Sequence, residues 1–198
     1  MKNEDGGNGN VDTQSRTDVA LLWRPVAALA PSTIPQVGLD VGVVAGLTVG
    51  GTIGFFSESG TNEDTPANGN SVSRDSPSVT AFLFAPRAGY GVPILPWLAF
   101  WPRLGFSYYN YHTSQTSMGN NPTTTKTTVS GFQLNLDPTF VFIPVEHFGI
   151  TAGPYLDLPL SGSTSSEATV GGTTVSPPDD TTKFTGFGLK VGLLGAFL

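Results

Sequence analysis

The chain has 198 residues and no cysteine, which removes disulfide frameworks and thiolate metal sites. Charge is also scarce. Asp, Glu, Lys and Arg make up 12% of the residues, about half of the roughly 25% usual for a soluble domain. Nine Lys and Arg are scattered along a chain of net charge −6. They form no basic patch, so nucleic acid is not an expected partner. No apolar run reaches the roughly 18 residues of a membrane-crossing helix. The two histidines, His112 and His147, are too few for a His-rich metal site. No Walker loop or Rossmann fingerprint occurs, and Gly186-Phe-Gly188 lacks the remaining spacing. No catalytic set, metal site or cofactor is therefore predicted, and the chain does not read as an enzyme.

What is abundant points elsewhere. Gly (25), Pro (16) and Phe (13) are frequent, a composition that disfavours a helical bundle and favours strands joined by turns. Residues 1–16 are polar and glycine-rich and read as a disordered tail, leaving 17–198 as one domain. The tail lacks the apolar region of a signal peptide. The apolar stretch Val19–Ala30 is interrupted by Arg24 and Pro25 and makes a poor signal core.

Three polar stretches, Glu58–Ser78, His112–Thr128 and Ser161–Thr182, are rich in Ser, Thr, Asn, Gly and Pro and read as long loops. Short breaks alternate with them, at Val44–Gly46, Val92–Pro96 and Pro144–Glu146. Eight candidate strands lie between: about 18–29, 34–44, 47–57, 79–92, 97–111, 129–143, 147–160 and 184–197. Most exceed the usual 5–6 residues and meet the ~9–11 that a tilted strand needs to cross a bilayer.

Side chains alternate faces along a strand. In the sixth segment Phe132, Leu134, Leu136, Pro138, Phe140 and Phe142 share one face, and Gln133, Asn135, Asp137 and Thr139 the other. The fifth, seventh and eighth segments repeat the pattern. Arg24, Asp40, Arg87, Arg103, Asp137, Asp157 and Lys190 all fall opposite the apolar face and nearly neutralise one another. A soluble barrel would put its many charges on a wet polar face. Here that face is mostly Gly, Ser, Thr and Asn, which suits the crowded interior of a narrow barrel, and the apolar face suits lipid. Tyr90, Trp97, Tyr108 and Phe148 lie near strand ends, where aromatic girdles form, although parity turns Trp97 inward together with Trp101, Tyr109 and Tyr111. Pro25, Pro86, Pro102, Pro138 and Pro154 inside strands predict bulges or local breaks.

Phe84-Ala-Pro-Arg-Ala-Gly-Tyr90, Trp101-Pro-Arg-Leu-Gly-Phe106, Pro138-Thr-Phe-Val-Phe-Ile-Pro144, Glu146-His-Phe148, Gly153-Pro-Tyr-Leu-Asp157 and Gly192-Leu-Leu-Gly-Ala-Phe197 together resemble the small outer-membrane β-barrel proteins of Gram-negative bacteria. The resemblance covers about residues 35–198. It implies an outer-membrane location, surface loops, periplasmic termini, a signal peptide and insertion by the barrel-assembly machinery, which commonly reads a terminal aromatic. This chain departs in that Phe197 is penultimate and no signal peptide is visible.

The expected fold is thus an all-β, eight-stranded, antiparallel up-and-down transmembrane β-barrel. The expected role is structural or interactive, with the lipid bilayer as partner. A narrow porin-like channel and a soluble lipocalin-like ligand-binding barrel are the alternatives. A weaker one is an outer-membrane lipid hydrolase, because His112 and Ser114 share a face as a base and a hydroxyl. No third, orienting acid is evident beside them. His147 reads as an interfacial residue.

Overall fold

A computed structural model describes residues 34–59, 61–64, 72–75, 77–117, 122–145 and 147–195. Among these residues there is no helix. The strands are β1 (Gln36–Val44), β2 (Leu47–Glu58), β3 (Thr61–Asp64), β4 (Val72–Asp75), β5 (Ser78–Tyr90), β6 (Val92–Leu95), β7 (Leu98–Ser117), β8 (Thr123–Val145), β9 (Phe148–Val170), β10 (Thr173–Val175), β11 (Asp180–Thr181) and β12 (Gly186–Gly195). Ten of them make one antiparallel sheet, whose seven long strands run up and down in the order β1-β2-β5-β7-β8-β9-β12, with the short β6 on β7 and β10 and β11 on β9. The first expected strand, residues 18–29, lies outside the described residues. Among the described residues nothing pairs β1 with β12, and the sheet is open along that seam.

The alternation read from the sequence appears in the burial of β2, β5, β7, β8, β9 and β12, while all of β1 except Asp40 is exposed beside the open seam. Phe132, Phe140 and Phe142 of β8 are exposed, while Gln133, Asp137 and Thr139 between them are buried. On β12, Leu189 and Leu193 are each 78% exposed. On β7, Leu104 and Phe106 point out, and Ser107, Tyr109 and Tyr111 point in. The sheet wraps around a common interior, since Gln36 of β1 and Lys190 of β12 line the same cavity as residues of the five strands between them.

Two of the stretches expected to be loops are largely strand. β7 runs on to Ser117, β8 begins at Thr123, and β9 continues to Val170. Their ladders keep pairing to Ser117↔Thr123 and Thr123↔Val170. Above Gly131 the β8–β9 hairpin projects about 26 Å, at ~3.3 Å per residue. The correction has a physical cause. Thr is β-branched and fits a pleated strand, and its hydroxyl bonds across the ladder, as in Thr116–Thr124 (3.2 Å), Thr127–Ser166 (3.4 Å) and Thr164–Thr182 (2.6 Å). The β9–β10 turn is Gly171–Gly172, both at positive φ (56° and 86°), which a two-residue turn of this hand requires. Within Glu58–Ser78, β3 and β4 pair as a small separate hairpin.

Pro86, Pro138 and Pro154 produce breaks without bulges. The β5–β7 ladder lapses between Phe84 and Arg87, at Pro86. The β8–β9 ladder lapses between Leu136 and Phe140, where Pro138 and Pro154 lie. Register is unchanged across both gaps. Pro102 faces Pro138 directly. A missing N–H deletes one bond on one side of a strand, and no extra residue is needed to absorb that. Pro25 lies outside the described residues. The β8–β9 register shifts between Phe142 and Val145 beside the turn, and again at Phe132/Gln133, where β9 supplies Leu160 as an additional residue beside Pro159. The shift at Leu160 turns Ser161 and Ser163 outward at the upper limit of the apolar face.

Inward glycines let neighbouring strands close in. A Cβ on Gly153 would lie 2.3 Å from the Pro138 carbonyl oxygen, whereas one on Gly42 would meet nothing within 4 Å. Gly153→Ala is expected to destabilise the fold by about 1–3 kcal/mol. Gly42→Ala should be neutral or stabilising by up to about 1 kcal/mol. Denaturant midpoints of the two variants, followed by tryptophan fluorescence, check this.

Candidate functional site

The interior carries the chemistry. At mid-height the Arg87 guanidinium of β5 reaches over β2 to β1. It donates through Nε to Asp40 Oδ1 (2.9 Å) and through Nη2 to Asp40 Oδ2, while Nη1 donates to Thr52 Oγ1 (2.7 Å). The fork geometry matches two carboxylate oxygens at once. Glycine at position 38 leaves room for it, because a Cβ there would stand 2.7 Å from Arg87 Nη2.

A second group centres on Asp137 of β8, which is 6% exposed. Lys190 Nζ of β12 donates to Oδ1 at 3.0 Å, and Arg103 Nη2 of β7 lies 3.8 Å from Oδ2. Arg103 also donates to Thr139 Oγ1 (3.2 Å) and stacks over the Trp101 ring at 4.7 Å. Lys190 sits 4.6 Å from the centre of the Tyr155 ring. Asp157, 5% exposed, accepts from Asn135 Nδ2 at 2.7 Å. Among the described residues no cation pairs directly with it. Three cations and three carboxylates thus share one interior, as the opposite-face arithmetic of the sequence anticipates. Arg24, the seventh charge of that set, lies outside the described residues.

Toward the long-loop end the interior is filled by apolar groups. Ile34, Ala81, Leu83, Tyr109 and Tyr111 form a buried cluster, flanked by Phe56, Ala85, Val129 and Phe184. Gln133 Nε2 donates to the Phe184 carbonyl (2.8 Å), tying β8 to the segment that precedes β12. Below the charges, Trp101 Nε1 donates to Thr48 Oγ1 (2.9 Å). Between plug and charges lies a cavity of about 30 Å³, counted over the positions a water centre can occupy. Strand parity alone places Tyr109 and Tyr111 inward. Ile34 and Phe184 carry no such signal, because they lie outside regular strands.

The aromatic residues divide by face. Tyr90, Trp97 and Phe148 are exposed near the short-turn end. Tyr108, near the other end of the apolar face, stacks on Phe132 with centroids 5.0 Å apart. Trp97 corrects the parity argument. It occupies the turn between β6 and β7, outside the strand alternation, and packs edge-on against the outward Phe142 at 5.5 Å.

His112 and Ser114 lie above the apolar face on β7. The His112 Nδ1 pairs with Thr128 Oγ1 at 3.0 Å, so the imidazole is engaged across the ladder. Ser114 faces Lys126, which faces Glu167, a row invisible without the register. His147 holds the left-handed conformation (φ 67°) in the β8–β9 turn. Compared with known family models, curated proteins and solved structures, the chain matches none.

Removing the shared acceptor strands the buried Arg103, while Lys190, whose side chain is 37% exposed, can still reach water. Asp137→Ala is expected to cost about 3–5 kcal/mol. Glu167→Ala, on the exposed projecting hairpin, should stay within about 0.5 kcal/mol. Equilibrium unfolding of both variants in one detergent tests the difference.

Proposed function

We propose that the chain is a bacterial outer-membrane β-barrel protein, inserted in the lipid bilayer and serving a structural or surface-interaction role. The observation that carries this reading is the inversion of polarity. Below the Ser/Thr-rich ends, the large exposed side chains of the seven long strands are Val, Leu, Ile and Phe with Tyr90, while Asp40, Asp137, Asp157, Arg87 and Arg103 turn inward. A contiguous apolar surface of this extent marks an interaction with another apolar phase. On β7 it runs from Leu98 to Tyr108, about 33 Å along the strand at ~3.3 Å per residue. At a tilt of ~40° this gives a height near 25 Å, the height of the lipid-facing band of such barrels.

The likeness of the barrel-building motifs to the outer-membrane family, and insertion by the barrel-assembly machinery, belong to the same reading. The buried Ile34–Tyr109–Tyr111 plug argues against the porin-like alternative, and the outward apolar faces argue against a lipocalin-like apolar cavity. For the lipid hydrolase, His112 meets Thr128 Oγ1 and not the expected Ser114, and among the described residues no carboxylate orients the imidazole.

The test starts with cell fractionation, detergent extraction and a heated-versus-unheated gel. Recovery from the membrane fraction with a mobility shift on boiling is expected. Recovery in the soluble fraction without detergent defeats the proposal. A sharper discriminator is Leu104→Arg, at mid-band and 51% exposed. It should cost about 2–4 kcal/mol for unfolding from lipid vesicles, against roughly 0.5 kcal/mol or less on a water-facing surface.

A further inference from the structure

The interior cavity holds more hydrogen-bonding capacity than the protein itself satisfies. Four side chains on its wall carry buried atoms with no protein partner: Arg103 Nε, Ser107 Oγ, Gln133 Oε1 and Asn135 Oδ1. Ser107 is 2% and Gln133 1% exposed, so neither can turn to bulk water. Their orientation is fixed by what they do bind. Gln133 spends its amide nitrogen on the Phe184 carbonyl and Asn135 on Asp157, which leaves both side-chain oxygens toward the shared space. Register keeps the four together, because Arg103, Gly105 and Ser107 face Asp137, Asn135 and Gln133 on the next strand.

We propose that this cavity is a hydration site that binds a cluster of two or three ordered water molecules. Volume and chemistry agree on that occupant. A buried water needs about 10–15 Å³ of such space and makes about three hydrogen bonds, and the cavity offers about 30 Å³. Its wall mixes a cationic N–H donor, two carbonyl acceptors and a hydroxyl able to serve either way, which suits a molecule that both donates and accepts. Arg87, Arg103 and Lys190 stand on its wall with Asp137 and Asp157, and Arg87 and Lys190 are already engaged by Asp40 and Asp137. A sugar or larger metabolite exceeds the volume. The cluster joins Arg103 of β7 to Asn135 and, through it, to Asp157 of β9, and so links the ionic groups of the interior into one network. Neither Tyr109 nor Tyr111 lines the cavity, so the water is bound below the plug.

Water magnetic relaxation dispersion on the full chain, folded in detergent micelles, is the test. Two or three long-lived waters are expected in the unmodified protein, and at least one should be lost in the Ser107→Val, Gln133→Leu double variant, which fills the space with apolar groups. If that variant does not fold, the experimental density of the unmodified protein decides, by showing water-sized features within hydrogen-bond distance of the four atoms. A folded protein without long-lived water overturns the proposal. So does non-water mass retained in native mass spectrometry and displaced in Ser107→Val. The measurement reads the folded interior alone, so its failure is separable from a failed membrane fractionation.

Discussion

The structure depends on a strand interior that is both narrow and charged. A carboxylate or guanidinium taken out of water is tolerable only when paired and hydrogen-bonded. Arg87 meets that condition by spanning two strands to Asp40, and Asp137 meets it by drawing Lys190 and Arg103 from opposite sides. Each pairing joins strands far apart in sequence, and so it fixes the register. Once the register is fixed, the period-two alternation sends every large apolar side chain outward, because a shift of one residue would reverse the faces of a whole strand. The outward apolar face and the inward ionic cluster are therefore two results of one constraint.

The same constraint divides the molecule along its long axis. Small inward residues at mid-height make room for the ions, while Tyr109, Tyr111 and Ile34 fill the long-loop end. Above them the strands carry hydroxyls on both faces, and the Ser/Thr ladders of β7, β8 and β9 hold a polar sheet well past the apolar limit. The extra residue at Leu160 sits at that transition. A bulge there lets the apolar ladder below and the hydroxyl ladder above each keep their own facing. On the proposed membrane reading, the lower part stands in hydrocarbon and the upper part at the surface, and the change from Phe132 to Ser130 marks the boundary between two solvents.

The sequence by itself determined the strand-rich class, the alternation along the long strands and, among the described residues, the side of the sheet on which Asp40, Arg87, Arg103, Asp137, Asp157 and Lys190 lie. These follow from local alternation, which needs no knowledge of neighbours. It misread the threonine-rich stretches as loops, because composition counts Thr with Ser, Gly and Asn although its branched Cβ favours a strand. It turned Trp97 inward because parity was carried through a residue that lies in a turn. Only the tertiary structure decided which ions meet, that Asp137 serves two cations, that Ile34 and Phe184 close the loop end, and that Ser114, Lys126 and Glu167 stand in one row. Each of these is a relation across strands, set by register and by the wrapping of the sheet, and no local pattern encodes where a distant strand will come to rest.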